Sequence, residues 1–283
     1  MDPDKLRGIT GRGIAVTVVF VAAIQLAAMW FTSVNEPVTS QAGASYAPAG
    51  TSTAGSLLNA VILIAAVFAT TIVAVWLIRS KRVRVFTTVI FVGTGLALFL
   101  LTLLTAIDLT ANYMNEDASF YLSLALAAGV VALLAVATKR PRFFVFAPLV
   151  TGLLSAEIGS YFASTLNLAT ALLLPVVFSL YDIYAVFRGP LKQLVSVASA
   201  EVLAGVTSTL GEFAIGTGDT IFYSLLPALA LYQFNLTVAL STMASVDVGV
   251  VLTLVLLTRS KMLPGLPIPM ALGLGTIVLF AAF

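Results

Sequence analysis

The sequence predicts an all-α membrane protein of nine transmembrane helices, with a cytoplasmic N-terminus and an extracellular C-terminus. Composition comes first: of 283 residues, 60% are hydrophobic and only 9% charged, and the mean hydropathy is +1.09. A water-soluble domain of this size carries roughly a quarter charged residues, so this chain uses lipid as its solvent. Next, nine stretches approach the roughly 20 apolar residues that cross a bilayer as helix. They are continuously apolar instead of alternating with period two, which excludes a β-barrel. Finally, all fourteen basic residues fall on alternate connections between these stretches, which orients the chain by the positive-inside rule.

Taken in order, the expected spans are 13–31, 57–78, 84–106, 119–138, 143–163, 166–187, 213–232, 236–258 and 265–282. Lys5, Arg7 and Arg12 precede the first span, whose apolar run is long for a signal peptide, so it reads as an uncleaved helix. The outer stretch 32–56, rich in Ser, Thr, Ala, Gly and Pro, reads as a loosely ordered surface loop. Arg79, Lys81, Arg82 and Arg84 mark the inner turn between spans two and three, and Lys139, Arg140 and Arg142 that between four and five. Arg188 and Lys192 follow span six, and Arg259 and Lys261 follow span eight. The connections 32–56, 107–118, 164–165 and 233–235 hold no basic residue, and only nine spans sort the charges this way. Spans six to nine are the least regular, being interrupted by Pro175, Gly216, Gly218, Pro227, Pro264 and Pro267. The chain thus divides into residues 1–188 (spans one to six), a cytoplasmic connection 189–212, and residues 213–283 (spans seven to nine). The connection places Leu194, Val197, Ala198 and Val202 on one helical face, so it is either an amphipathic segment or a plain linker.

With no His and no Cys, the chain has no His-based triad, no HExxH zinc site, no thiol nucleophile and no disulfide. A net charge of +2, spread in short clusters between apolar runs, argues against nucleic acid as a partner.

The informative residues are acids inside the expected spans: Glu157, Asp182, Asp219 and Asp247. A charge at the bilayer centre costs at least about 2.5–3.5 kcal/mol, so such residues face the bundle interior or water. Glu157 and Asp247, taken singly, read as protonated carboxyls that bond another helix as packing glue. Asp182 and Asp219 differ because their depths match. Six residues separate Asp182 from Arg188, and Asp219 lies seven residues beyond Glu212, about 9–10 Å of helix in each case. Sequential helices are usually neighbours, so the two carboxyls are expected to face each other. Tyr181 puts a phenol beside the first acid. Gly216 and Gly218 precede the second, where glycine permits close backbone approach and local unwinding. The ninth span opens with Leu263-Pro264-Gly265-Leu266-Pro267-Ile268-Pro269, and its prolines hinder regular helix at the same inner level.

Tyr181-Asp182, Gly216-Thr217-Gly218-Asp219 and Pro264-Gly265-Leu266-Pro267, in that order on spans six, seven and nine, resemble the YD, GxGD and PAL motifs of one family. It is the presenilin and signal peptide peptidase family of intramembrane aspartyl proteases, and the N-inside orientation is similar to its presenilin branch, as in a microbial (archaeal-type) homologue. The motif-bearing region is about residues 175–269, and Gly265 stands where the family has Ala. The resemblance implies that Asp182 and Asp219 are the catalytic pair. It also implies that Tyr181, Gly216, Gly218, Pro264, Gly265, Leu266 and Pro267 position substrate. Two close carboxyls cannot both ionise cheaply; sharing a proton, one activates water while the other polarises the peptide carbonyl, without metal or cofactor. The implied partners are transmembrane proteins or peptides and the lipid bilayer of the cell membrane, and the sequence leaves room for a homo-oligomer. The rival reading is an ion- or proton-coupled transporter that uses the four acids as carriers. It calls for an internal repeat of broken helices, which is not seen, and it leaves the three motifs unexplained.

Overall fold

A computed structural model describes residues 11–42, 48–50, 52–80, 82–111, 113–139, 146–187, 207–210, 213–260 and 263–282. Among these the chain forms nine helices: α1 (Gly11–Ala42), α2 (Thr53–Arg79), α3 (Val83–Ala111), α4 (Glu116–Lys139), α5 (Ala147–Thr165), α6 (Leu168–Phe187), α7 (Thr217–Gln233), α8 (Leu236–Leu257) and α9 (Pro267–Ala281). A two-stranded antiparallel hairpin, β1 (Thr207–Leu210) and β2 (Phe213–Gly216), lies between α6 and α7. Thr207 stands opposite Gly216, and Leu210 opposite Phe213.

Six helices (α1, α2, α3, α4, α6 and α8) are by themselves long and apolar enough to cross a membrane. Of the other three, α9 is apolar but only 15 residues long, and α5 and α7 are explained by position. Along its length α5 buries polar residues, among them Thr151, Ser155, Glu157, Ser160, Ser164 and Thr165, and α7 is buried almost continuously from Phe222 to Ala230. A helix enclosed by other helices needs no lipid-compatible surface and accommodates hydroxyls as interhelical contacts. These two helices pack against each other and against α1, forming the centre of the bundle. α8 and α9 flank α7; α3 pairs with α4, and α6 lies between α2 and α9.

Three expectations change. The run 32–42 continues α1 instead of forming a loop. Two of its polar residues are held by the bundle: Thr32 Oγ1 donates to Ser160 Oγ at 3.0 Å, and Asn35 Nδ2 donates to Thr105 Oγ1 at 3.3 Å. The seventh span starts as strand, not helix, because residues 213–216 pair with 207–210 before the chain turns helical at Thr217. The end of the 189–212 connection is therefore extended, while its apolar positions Leu194, Val197, Ala198 and Val202 lie outside the described residues. The ninth helix begins at Pro267, two residues later than expected.

Small residues set the helix spacing where it is closest. A methyl group built on Gly249 of α8 would lie 2.8 Å from the Pro269 nitrogen and 3.2 Å from the Ile268 carbonyl carbon, so α9 rests directly on the backbone of α8. In contrast, a methyl on Gly93 of α3 would meet nothing within 4 Å. Gly249→Val is therefore expected to lower stability by about 2 kcal/mol or more, whereas Gly93→Ala should leave it within about 1 kcal/mol of the parent. Unfolding titrations in mixed detergent micelles measure both; equal stability of the two variants would contradict this packing.

Candidate active site

Asp219 owes its place to the way α7 begins. Gly216 ends β2 in an extended conformation (φ −65°, ψ 137°) and is the N-cap of α7, which makes Asp219 the third helical residue. A carboxylate at that position can reach back to the N-cap amide, which is half of a capping box. The Gly216 backbone bonds the Asp219 carboxylate in this way. The spacing in Gly216-Thr217-Gly218-Asp219 is thus that of a helix start, and a methyl on Gly216 would sit 3.4 Å from Asp219 Oδ2. β2 delivers the chain to this turn in extended form.

The same turn is clamped from the other side by α5. Ser155 Oγ lies 2.7 Å from Thr220 Oγ1, and Ser224 Oγ donates to the Ser155 carbonyl at 2.9 Å. Gly159 gives Ser224 room, since a methyl there would collide with the Ser224 side chain. Buried hydroxyl contacts of this kind each contribute about 1 kcal/mol and fix the rotation of α7 about its axis.

Asp182 lies near the C-terminal end of α6, half-buried, five residues before Phe187. α6 continues through Pro175. Phe178, one turn before Asp182, packs on Phe222, just after Asp219, with ring centroids 4.7 Å apart. This aromatic contact ties α6 to α7 beside the two acids, whose carboxylates interact electrostatically.

Residues 263–266 complete the site. Pro267 occupies the first turn of α9, and the Leu266 carbonyl accepts the first helical bond from Met270 N–H at 3.0 Å. Leu266's own N–H has no helical acceptor. It donates instead to Asp182 Oδ2 at 3.0 Å, and the Gly265 backbone bonds the same carboxylate. Gly265 also touches the second acid: a methyl there would lie 2.7 Å from Asp219 Oδ2 and 3.1 Å from its Cγ. Ala at 265 would displace the Asp219 carboxylate, so in this backbone glycine is the residue that fits.

Asp182, Asp219, Gly216, Gly265 and Leu266 therefore converge, with Pro264 and Pro267 flanking the last two. Gly218 is exposed, and nothing lies within 4 Å of its Cβ direction. Tyr181 turns away toward α2, where its hydroxyl donates to Thr71 Oγ1 at 3.4 Å and its ring meets Phe68 edge-on. There it lines a cavity of about 340 Å³ with Ile72, Trp76, Arg79 and Tyr184. Glu157 bonds a neighbouring helix, Thr102 Oγ1 donating to its Oε1 at 2.8 Å, and Asp247 is half-buried on α8. Among the described residues no group of three His, Cys, Asp or Glu is placed to hold a metal ion. Sequence reasoning passed over Tyr223, whose hydroxyl donates to the Gly265 carbonyl at 2.9 Å. The signal was its spacing, since residues four apart share a helix face. It also passed over the α5 seam, legible as the small residues Gly152, Ser155, Ala156, Gly159 and Ser160 spaced three and four apart.

Comparison with known proteins places this arrangement. Presenilin-B of Dictyostelium discoideum is 27% identical over 241 residues, which cover 80% of this chain; the chain spans about half (49%) of that protein's length. A presenilin family intramembrane aspartate protease solved in space group C222 superposes with a TM-score of 0.65 at 24% identity, over 94% of this chain and 98% of that one. A presenilin family intramembrane aspartate protease solved in space group P2 gives 0.66 at 23%, over 97% and 98%. At these identities the likeness is one of fold. A sequence model of the presenilin family matches residues 12–202, more than half of the chain and inclusive of Asp182. The chain belongs to the presenilin family.

Proposed function

We propose that this protein is an intramembrane aspartyl endopeptidase that hydrolyses peptide bonds within transmembrane segments, with Asp182 and Asp219 as its catalytic pair. The observation that carries the proposal is the contact of two consecutive residues, Gly265 and Leu266, with both carboxylates. The two acids come from α6 and α7, and a non-helical segment holds them at one place in a chain whose family and fold are those of presenilins.

The chemistry follows from two carboxyls sharing one proton. The ionised carboxylate takes a proton from water as the water oxygen attacks the peptide carbonyl carbon, and the protonated partner donates to the carbonyl oxygen. A gem-diol forms. Its C–N bond breaks as the carboxyl that took the water proton gives it to the amine nitrogen and the other carboxylate removes a proton from a gem-diol hydroxyl, which restores the one-proton pair. A substrate helix must unwind first, because its amides are bonded internally. Its freed N–H and C=O groups then need partners, which extended backbone supplies. Residues 264–266 and β2, both non-helical and both adjoining an aspartate, serve that purpose. A transporter reading gains nothing here, since it leaves the convergence of Gly265 and Leu266 on Asp182 and Asp219 unexplained.

We place the protein in the cell membrane with nine crossings, N-terminus inside and C-terminus outside, on the distribution of its fourteen basic residues. Both aspartates then lie toward the cytosolic boundary.

Two outcomes test this. Asp182→Asn and Asp219→Asn, purified folded, should each leave less than about a hundredth of the parent's cleavage of a single-span model substrate, in line with the 10²–10⁴-fold contribution of general acid–base groups. A tenth of parental activity in either variant removes that residue from the pair. Initial cuts, mapped by mass spectrometry of the product ends, should fall in the cytosolic half of the substrate span, favouring stretches with Gly or β-branched residues. Initial cuts confined to the outer half would contradict the orientation.

A further inference from the structure

The peptide unit between Gly265 and Leu266 is gripped at both ends. Its N–H donates to Asp182 Oδ2 on α6 at 3.0 Å, and its C=O accepts from the Tyr223 hydroxyl on α7 at 2.9 Å. A peptide unit is planar, and the chain has no cis bonds among the described residues, so these two groups point in opposite directions from a rigid plate. The plate thus spans the gap between the helix of one aspartate and the helix of the other.

Tyr223 is buried (3% exposed) and lies four residues after Asp219 on α7. Its oxygen and Asp219 Oδ2 approach the same point, since a methyl on Gly265 would lie 3.4 Å from the first and 2.7 Å from the second. There is no room for even one carbon between the plate and the Asp219 carboxylate. Rotation of the plate would therefore disturb both acids together, by withdrawing the amide from Asp182 and driving Gly265 into Asp219.

We infer that Tyr223 is a positioning residue of the catalytic pair, acting through the Gly265–Leu266 peptide as a strut that sets the spacing of Asp182 and Asp219. The inference rests on the proposed function. Tyr223 touches neither substrate nor water in this scheme. Its hydroxyl fixes the rotation of the strut, and the hydrogen bonds at the two ends polarise one another through the peptide.

A hydroxyl that only satisfied a buried carbonyl would affect folding and leave turnover alone, and kinetics separate the two cases. Tyr223→Phe keeps the ring and removes the donor. In the full-length protein, with a single-span model substrate, kcat should fall at least tenfold while KM stays within twofold. Ser119→Ala, which also removes a buried hydroxyl but from the α3–α4 contact, should keep kcat within twofold. If Tyr223→Phe keeps kcat within twofold while the Asp182→Asn and Asp219→Asn variants are inactive, the strut is overturned and the protease reading stands. If the Asn variants are active, the protease reading fails first. Should Tyr223→Phe not fold, 3-fluorotyrosine at 223 replaces it, with the same shape and a stronger donor. The strut then predicts a kcat changed by at least twofold at constant KM, and an unchanged kcat overturns it.

Discussion

A backbone amide that leaves a helix inside a bilayer must find another partner, and in this protein the partner of the Leu266 amide is the Asp182 carboxylate. Much of the architecture turns on that bond. Water cannot satisfy a backbone break in hydrocarbon, so a non-helical stretch at membrane depth persists only where protein groups enclose it. Residues 263–266 meet this condition because α6 and α7 present a carboxylate on one side and a phenol on the other. The break before Pro267 and the acids on α6 and α7 are one device: the break needs acceptors and donors, and the acids need donors.

The rest of the bundle holds that device in register. The polar residues of α5 and α7 are tolerated because these helices are enclosed, and their hydroxyl seam at Ser155, Thr220 and Ser224 fixes the turn from which Asp219 projects. On the opposite side, Gly249 lets the start of α9 lie against the backbone of α8, which seats Pro267–Pro269 and so aims residues 264–266 at the aspartates. The Phe178–Phe222 contact joins α6 to α7 at the same level. Five helices thus fix the relation between two side chains that lie 37 positions apart in the sequence.

Much of this was legible in the sequence, for reasons of length and charge. Apolar runs of about 20 residues separated by basic clusters predict helices whatever their partners, and all nine appear within a few residues of the expected bounds, apart from the longer α1. The three motifs marked Asp182, Asp219 and residues 264–267, because an acid or a proline pair in an apolar run is conspicuous. What escaped depends on partners distant in sequence. Phe213-Ala214-Ile215-Gly216 reads as the start of a helix, since four apolar residues fit either period, and only pairing with 207–210 makes them strand. The start of the run 32–42 looked like loop because the groups that hold Thr32 and Asn35, Ser160 and Thr105, are far away in the chain. Tyr223 looked like ordinary core because its role depends on a carbonyl 42 residues ahead.

The account stands or falls on whether the two carboxylates act on one atom. A hydroxyethylene peptide isostere, whose hydroxyl imitates the tetrahedral intermediate, binds an aspartyl pair through that hydroxyl. A density map of the protein in lipid nanodiscs with such an isostere bound should show the hydroxyl about 3 Å from both Asp182 and Asp219, with residues 264–266 alongside the peptide. An isostere seated elsewhere, or one whose hydroxyl reaches only one of the two carboxylates, would contradict it.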